Sequence, residues 1–259
     1  MSSLPELPEP TLSEHDGVRY LHLGTPWVQG AMRLSAPNTL EIEYVQRMMA
    51  WMLWRDSALV TAGHAVQLGL GAASLTRFCR QVLKMRTTAV ELNPRVTIAA
   101  RLWFRLPQDD RLLCVRHADA GQWVADPAHL QSVDVLNVDL YDHEAAAPVL
   151  DDDAFYAHCR GVLAHGGLMS VNLFGRHASF AASIGCIARA FGAHQVWSLR
   201  PTREGNTVVV AGRGVVVPER AELASRAALI EKRFGALGLP ARKWLHMVRP
   251  YEAQDARSA

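Results

Sequence analysis

The chain is poor in the features that mark secreted, membrane and nucleic-acid-binding proteins. Its 259 residues include four cysteines, Cys79, Cys114, Cys159 and Cys186, which lie far apart without metal-ligand spacing. That argues against a disulfide framework or a zinc site and for a reduced, cytoplasmic compartment. No uninterrupted apolar run approaches the ~18 residues that a membrane helix needs. Charge of one sign is also lacking. A formal net charge of +2 gives no electrostatic case for nucleic acid or an anionic membrane. Basic residues do gather between Arg226 and Arg249, where a solvated helix face is the plainer reading than a polyanion site. The first ten residues are acidic and proline-rich, the opposite of a signal peptide, and predict a disordered leader over residues 1–13.

What is present is ordinary for a globular chain with a sizeable core: 49% hydrophobic and 20% charged residues. Short strands at 18–23 and 27–34, around Gly24-Thr25-Pro26, predict a small β-hairpin. Asn38 is placed to cap the next helix, with Glu41 as its capping-box partner. Ile42, Val45, Met48, Met49, Met52 and Leu53 recur at helical spacing to about Trp54, which reads as a core-facing stripe rather than a cofactor box. Residues 14–55 thus form a small hairpin-plus-helix unit. Residues 56–259 alternate strand and helix, as a parallel sheet covered on both faces requires. Crossover helices are expected at 74–82 and 94–104, the second with Pro94 in its first turn. Asp151-Asp152-Asp153 precedes a helix at 154–163 that Gly166-Gly167 ends; charges offsetting a helix dipole explain the triplet better than a metal site. A strand at 168–172, a helix at 178–191, and strands at 195–199 and 207–211 follow. The last two strands are joined too tightly for a crossover helix and must be antiparallel. A helix near 219–237 closes the pattern.

The chemistry concentrates between residues 65 and 142. A strand at 65–68 runs into Gly69-Leu70-Gly71-Ala72-Ala73-Ser74. A second, 87–90, ends in Glu91; a third leads to Asp119-Ala120; a fourth, Val133–Val138, delivers Asp139-Leu140-Tyr141-Asp142. Glycines let a backbone approach a ligand closely, and a carboxylate at the end of the second strand can accept hydrogen bonds from a ribose diol. Gly69-x-Gly71 alone is a weak signal. The plainer alternatives, a loop or helix-capping residue for Asp119 and a surface turn for Asp139, are the lesser readings. Together the four strand ends specify an adenosine site.

These motifs resemble the spermidine synthase family of polyamine aminopropyltransferases, over residues ~14–212. Val66-Gln67-Leu68-Gly69-Leu70-Gly71 is similar to that family's glycine loop, and Ala89-Val90-Glu91-Leu92-Asn93-Pro94 to its ribose-binding strand end. Ala118-Asp119-Ala120 resembles its adenine-side motif, and Val138-Asp139-Leu140-Tyr141-Asp142 its catalytic Asp-x-x-Asp. The resemblance implies a doubly wound, methyltransferase-like α/β fold with a mostly parallel seven-stranded sheet and a C-terminal antiparallel hairpin. It makes Asp139 the base, Asp142 the acceptor anchor, Tyr44 an active-site tyrosine and residues 143–148 a gate loop. Gly69, Gly71, Glu91, Asp119 and Ala120 would then bind the co-substrate, decarboxylated S-adenosylmethionine or S-adenosylmethionine itself, with no metal. The expected partner is a small-molecule amine, with neither nucleic acid nor membrane, and a homodimer is left open.

The chain also departs from the family pattern. Ala72 stands where the family has a donor-anchoring aspartate. Pro201-Thr202-Arg203-Glu204 replaces Pro-Thr-Tyr-Pro, and Val45-Gln46 replaces the histidine–glutamate pair after the tyrosine. Three readings follow: an aminopropyltransferase with altered substrates, a methyltransferase on the same fold, and a catalytically silent nucleoside-binding or scaffold protein.

Overall fold

A computed structural model describes residues 7–140, 150–174 and 178–252. Two sheets organise them. The smaller is an antiparallel meander of β1 (Pro10–His15), β2 (Val18–Leu23) and β3 (Gly30–Arg33). It has one strand more than the predicted hairpin, and β1 begins inside the segment assigned to a disordered leader. The reason is local. Asp16 and Gly17 both take positive φ, +49° and +72°, the conformation with which an Asp-Gly pair closes a tight hairpin. Leu12 then packs against the cluster of Leu21, Met32, Ala72, Ala99 and Phe104.

The predicted helix from Asn38 is shorter than expected. α1 spans Glu43–Met48, with Ile42 at its N-cap and no side-chain cap, and continues as a 3-10 turn over Met49–Leu53. Glu41 does not close a capping box. Its two oxygens take Nε and Nη2 of Arg33 at 2.8 and 2.7 Å, tying α1 to β3. The apolar stripe faces the core as predicted: Met48, Met49, Trp51, Met52 and Leu53 are fully buried.

The large sheet contains β4 (His64–Leu68), β5 (Arg86–Glu91), β6 (Leu113–His117), β7 (Val133–Val138), β8 (Leu163–Phe174), β9 (Val196–Ser198), β10 (Asn206–Gly212) and β11 (Arg249–Pro250). Their spatial order is β11-β9-β10-β8-β7-β4-β5-β6. The block β8-β7-β4-β5-β6 is parallel and β10, β9 and β11 complete it antiparallel. The sheet is thus doubly wound as predicted, with an eighth, two-residue edge strand, β11, that carries no apolar pattern for sequence reading to detect.

Helices α2 (Ser74–Arg77, extended by a π-helical turn, Phe78–Val82), α3 (Pro94–Trp103), α4 (Ala120–Ala125), α5 (Asp153–Val162), α6 (Ala178–Phe191), α7 (Arg220–Phe234) and α8 (Ala241–Leu245) connect and cover the strands. One face of the sheet, through Ala65, Val135, Leu168 and Val208, packs against α1, α7 and α8. The other, through Val66, Leu136, Met169 and Val209, packs against α4, α5 and α6. The Asp triplet serves helix α5: Asp152 caps it by accepting from Phe155 N at 2.7 Å, Asp151 accepts from Tyr156 Oη at 2.6 Å, and Asp153 pairs with Arg189. Gly166-Gly167 does not end that helix. β8 already starts at Leu163, and the glycines absorb a register shift against β7, Gly166 at φ +77°.

Candidate active site

In a parallel sheet every strand delivers its C-terminal residue to the same edge. Reading along that edge, β6 leads to Asp119-Ala120, β5 ends in Glu91, β4 runs into Gly69, and β7 leads to Asp139. Neighbouring strands lie about 4.8 Å apart, so these four positions span roughly the length of an adenosine and its sulfur substituent.

The glycine loop is built for close approach. Gly69 has φ +86°, and a Cβ there would stand 2.2 Å from the carbonyl oxygen of Asp139; on Gly71, at φ +49°, a Cβ would stand 2.9 Å from the carbonyl oxygen of Gln29. Backbone bonds from Gly69 N to Val90 O and from Asp139 N to Leu68 O stitch the loop to both adjoining strand ends. Glu91 completes the cradle. Its Oε2 accepts from Leu70 N at 2.9 Å and its Oε1 from Asn93 N at 2.8 Å. Each oxygen keeps a further lone pair for a ligand hydroxyl. Burial raises the pKa of Glu91, against the lowering effect of its backbone hydrogen bonds from Asn93, Leu70 and Leu92.

Asp119 serves as the N-cap of α4, its Oδ1 accepting from Gln122 N at 2.8 Å. The capping alternative therefore holds for that oxygen. Ala120 is buried at the first turn of the helix.

Asp139 is no surface turn. Tyr44 Oη on α1 donates to its Oδ2 at 3.2 Å, and Asn172 Nδ2 on β8 donates to its Oδ1 at 3.0 Å. Asn206, at the start of β10, donates in turn to Asn172 Oδ1 at 3.1 Å. Burial raises the pKa of Asp139, and the hydrogen bonds from Asn172 and Tyr44 oppose that shift. A carboxylate so raised is a stronger base than a solvated one. Sequence reasoning missed Asn172 and Asn206. The available signal was an amide at the end of the apolar run 168–172, followed by another at the first position of a strand paired with it. Asp142 and the gate loop, 143–148, lie outside the described residues.

The departures also have structural context. Ala72 is 2% exposed and packs with Leu21, Met32, Ala99 and Phe104, close against Gly30 of β3. Arg203 and Glu204 are exposed in the turn between β9 and β10. Among the described residues, no group of three His, Cys, Asp or Glu side chains is placed to hold a metal ion, and no helix is long and apolar enough to cross a membrane.

Comparison with known proteins decides the family. A polyamine aminopropyltransferase of Neisseria meningitidis is 32% identical over 205 residues, covering 79% of this chain and 76% of that protein. One of Chromobacterium violaceum is 30% identical over 231 residues, covering 88% and 86%. The chain belongs to the polyamine aminopropyltransferase family. It is accordingly a transferase, and neither the methyltransferase nor the silent-scaffold reading is favoured. Among solved structures, a probable spermidine synthase from Corynebacterium glutamicum superposes with a TM-score of 0.70 at 20% identity over the whole of both chains, which shows the shared fold. No protein-family model matches the chain.

Proposed function

We propose that this transferase moves an aminopropyl group from decarboxylated S-adenosylmethionine to a small amine, with Asp139 freeing the amine for attack. The placement of Asp139 carries the reading. It stands at the edge where the glycine loop and Glu91 meet, with both carboxylate oxygens held, by Tyr44 and by Asn172. Family membership supports the reaction class.

Glu91 accepts the two ribose hydroxyls, while Gly69 and Gly71 let the backbone lie against the ligand. Asp119 and Ala120 border the adenine. An alkylammonium has a pKa of about 10 and carries no free lone pair at neutral pH. Asp139 takes its proton. The freed nitrogen forms a bond to the methylene carbon next to the sulfonium as the carbon–sulfur bond breaks toward sulfur, leaving a neutral thioether. The proton on Asp139 passes to solvent. Tyr44 and Asn172 fix the carboxylate so that its remaining lone pairs face the amine, and Asp142 anchors the acceptor by charge-assisted hydrogen bonds.

The test is to incubate the purified chain with decarboxylated S-adenosylmethionine and a panel of amines, following methylthioadenosine and the aminopropylated product by mass spectrometry. Both products should appear with at least one amine and depend on Asp139. Methylthioadenosine formed with no amine in the panel, combined with S-adenosylhomocysteine formed from S-adenosylmethionine, would overturn the proposal in favour of methyl transfer.

A further inference from the structure

Directly beneath Asp139 and Asn172 the sheet carries a polar layer in what is otherwise apolar core. Gln67 on β4 stands in register with Asn137 on β7, and Asn137 with Ser170 on β8. Register partners share a face. This is the face of Ala65, Val135 and Leu168, which packs against Met48, Trp51 and Trp54. Gln67 and Asn137 are 1% exposed and Ser170 is fully buried. Gln67 Nε2 reaches Cys79 Sγ at 3.6 Å. Both carboxamide atoms of Asn137, the hydroxyl of Ser170 and the indole nitrogens of Trp51 and Trp54 have no hydrogen-bond partner among the described residues.

Native interiors pair nearly all such groups, and ordered water pairs those that protein does not reach. The layer lies two residues below Asp139 and Asn172 along their strands, about 6.6 Å at the usual rise. Two hydrogen bonds through one water span about 5.6 Å, close to that gap. We propose that Asn137 and Ser170 form a buried hydration site beneath Asp139, holding ordered water against its carboxylate. This water solvates the ionised form of Asp139, so Asn137 and Ser170 act as positioning residues.

The inference rests on Asp139 being the base. Around that carboxylate, α1 contributes the Tyr44 phenol, while Arg47 on the same helix is turned to Glu43 and to the carbonyl of Arg200. β8 and β10 contribute the uncharged Asn172 and Asn206. Glu91 stands two strands away on β5.

The experiment pairs a high-resolution crystal structure of the wild-type chain with pH–rate profiles of Asn137→Leu and Ser170→Ala. Ordered solvent is expected between the Asn137 carboxamide and Asp139. The acid limb of kcat/KM should move to higher pH in both variants, by about one unit in Asn137→Leu, because the ionised carboxylate has lost solvation. Nucleoside affinity should stay unchanged. If Asn137→Leu does not fold, the smaller change Ser170→Ala carries the test. A dry interior between the two layers, or profiles superposable on wild type, overturns the proposal. Asp139→Asn keeps the two readings apart: normal turnover in that variant would remove Asp139 as base, while the solvent density would still decide the hydration site.

Discussion

Removing the Glu91 carboxylate tests the nucleoside site most directly, because that side chain has two separable duties. Toward a ligand, the proposed reaction has its oxygens accept both ribose hydroxyls. A hydrogen bond to a charged group contributes about 1.5–3 kcal/mol, so two contribute about 3–6 kcal/mol. At 1.4 kcal/mol per tenfold, Glu91→Ala should weaken binding of methylthioadenosine by ~10²–10⁴. Water entering the vacated space replaces part of what is lost and favours the lower half of that range. Toward the protein, the same oxygens hold Leu70 N and Asn93 N. The substitution leaves those amides without acceptors, at about 1–3 kcal/mol each where water cannot reach them. Relief of a buried carboxylate whose pKa is raised opposes that loss. Glu91→Gln should be intermediate, since its amide group meets one of the two backbone N–H groups donor to donor. Titration calorimetry with methylthioadenosine and S-adenosylhomocysteine, beside thermal melts without ligand, separates the two duties. Wild-type affinity for every adenosine ligand in Glu91→Ala would refute the reasoning, whatever happened to the melting temperature.

Further outcomes follow from the other positions. Asp139→Asn keeps the shape but cannot take a proton, so turnover should fall by roughly 10²–10⁴ with nucleoside affinity nearly unchanged, as steady-state kinetics and calorimetry would show. The same variant should melt higher at neutral pH. A carboxyl whose folded pKa is raised contributes stability that is fully present below its unfolded value and lost as pH rises through the folded one. The gain should therefore vanish in melts below the ordinary carboxylate range. Tyr44→Phe removes a donor that favours the ionised Asp139, so the acid limb of kcat/KM should shift up by about one pH unit, the equivalent of ~1.4 kcal/mol. Putrescine should be a weak acceptor, because Ala72 and Arg203 replace groups that the family aims at ammonium; brisk spermidine formation in a mass-spectrometric assay would count against this.

The parallel sheet was legible because its signals are periodic and its punctuation chemical. Apolar runs ended at Gly69, Glu91, Asp119 and Asp139, and topology alone brings such ends to one edge. What the sequence hid was decided by contacts between distant segments. Glu41 had the spacing of a capping box, yet a bidentate ion pair with Arg33 on β3 holds it instead. β1 lay under a proline-rich composition that masked the Asp16-Gly17 turn. Asn172 and Asn206 belong to no motif, and they meet only because β8 and β10 pair antiparallel with Asn206 opposite Phe174. Asp119 shows the reverse: the residue was singled out correctly as sitting at a strand end, but one oxygen already caps α4.

The substituted glycine loop has a physical explanation beyond the loss of one carboxylate. A Cβ on Gly30 would stand 2.5 Å from the Ala72 Cβ, so β3 lies hard against the loop at that position. A carboxylate at position 72 would enter the cluster of Leu21, Met32, Ala99 and Phe104, where an unpaired charge is costly. The small sheet and the alanine are therefore one arrangement: the alanine admits β3, and β3 closes the back of the loop. Arg77 reinforces it from behind, buried and, among the described residues, without a carboxylate partner, donating to the carbonyls of Ala72, Phe104 and Pro37 while burial lowers its pKa to about 9. In the proposed reaction the amine meets the edge formed by α1, β7, β8 and β10. On that edge Tyr44, Asp139, Asn172 and Asn206 form one hydrogen-bonded line.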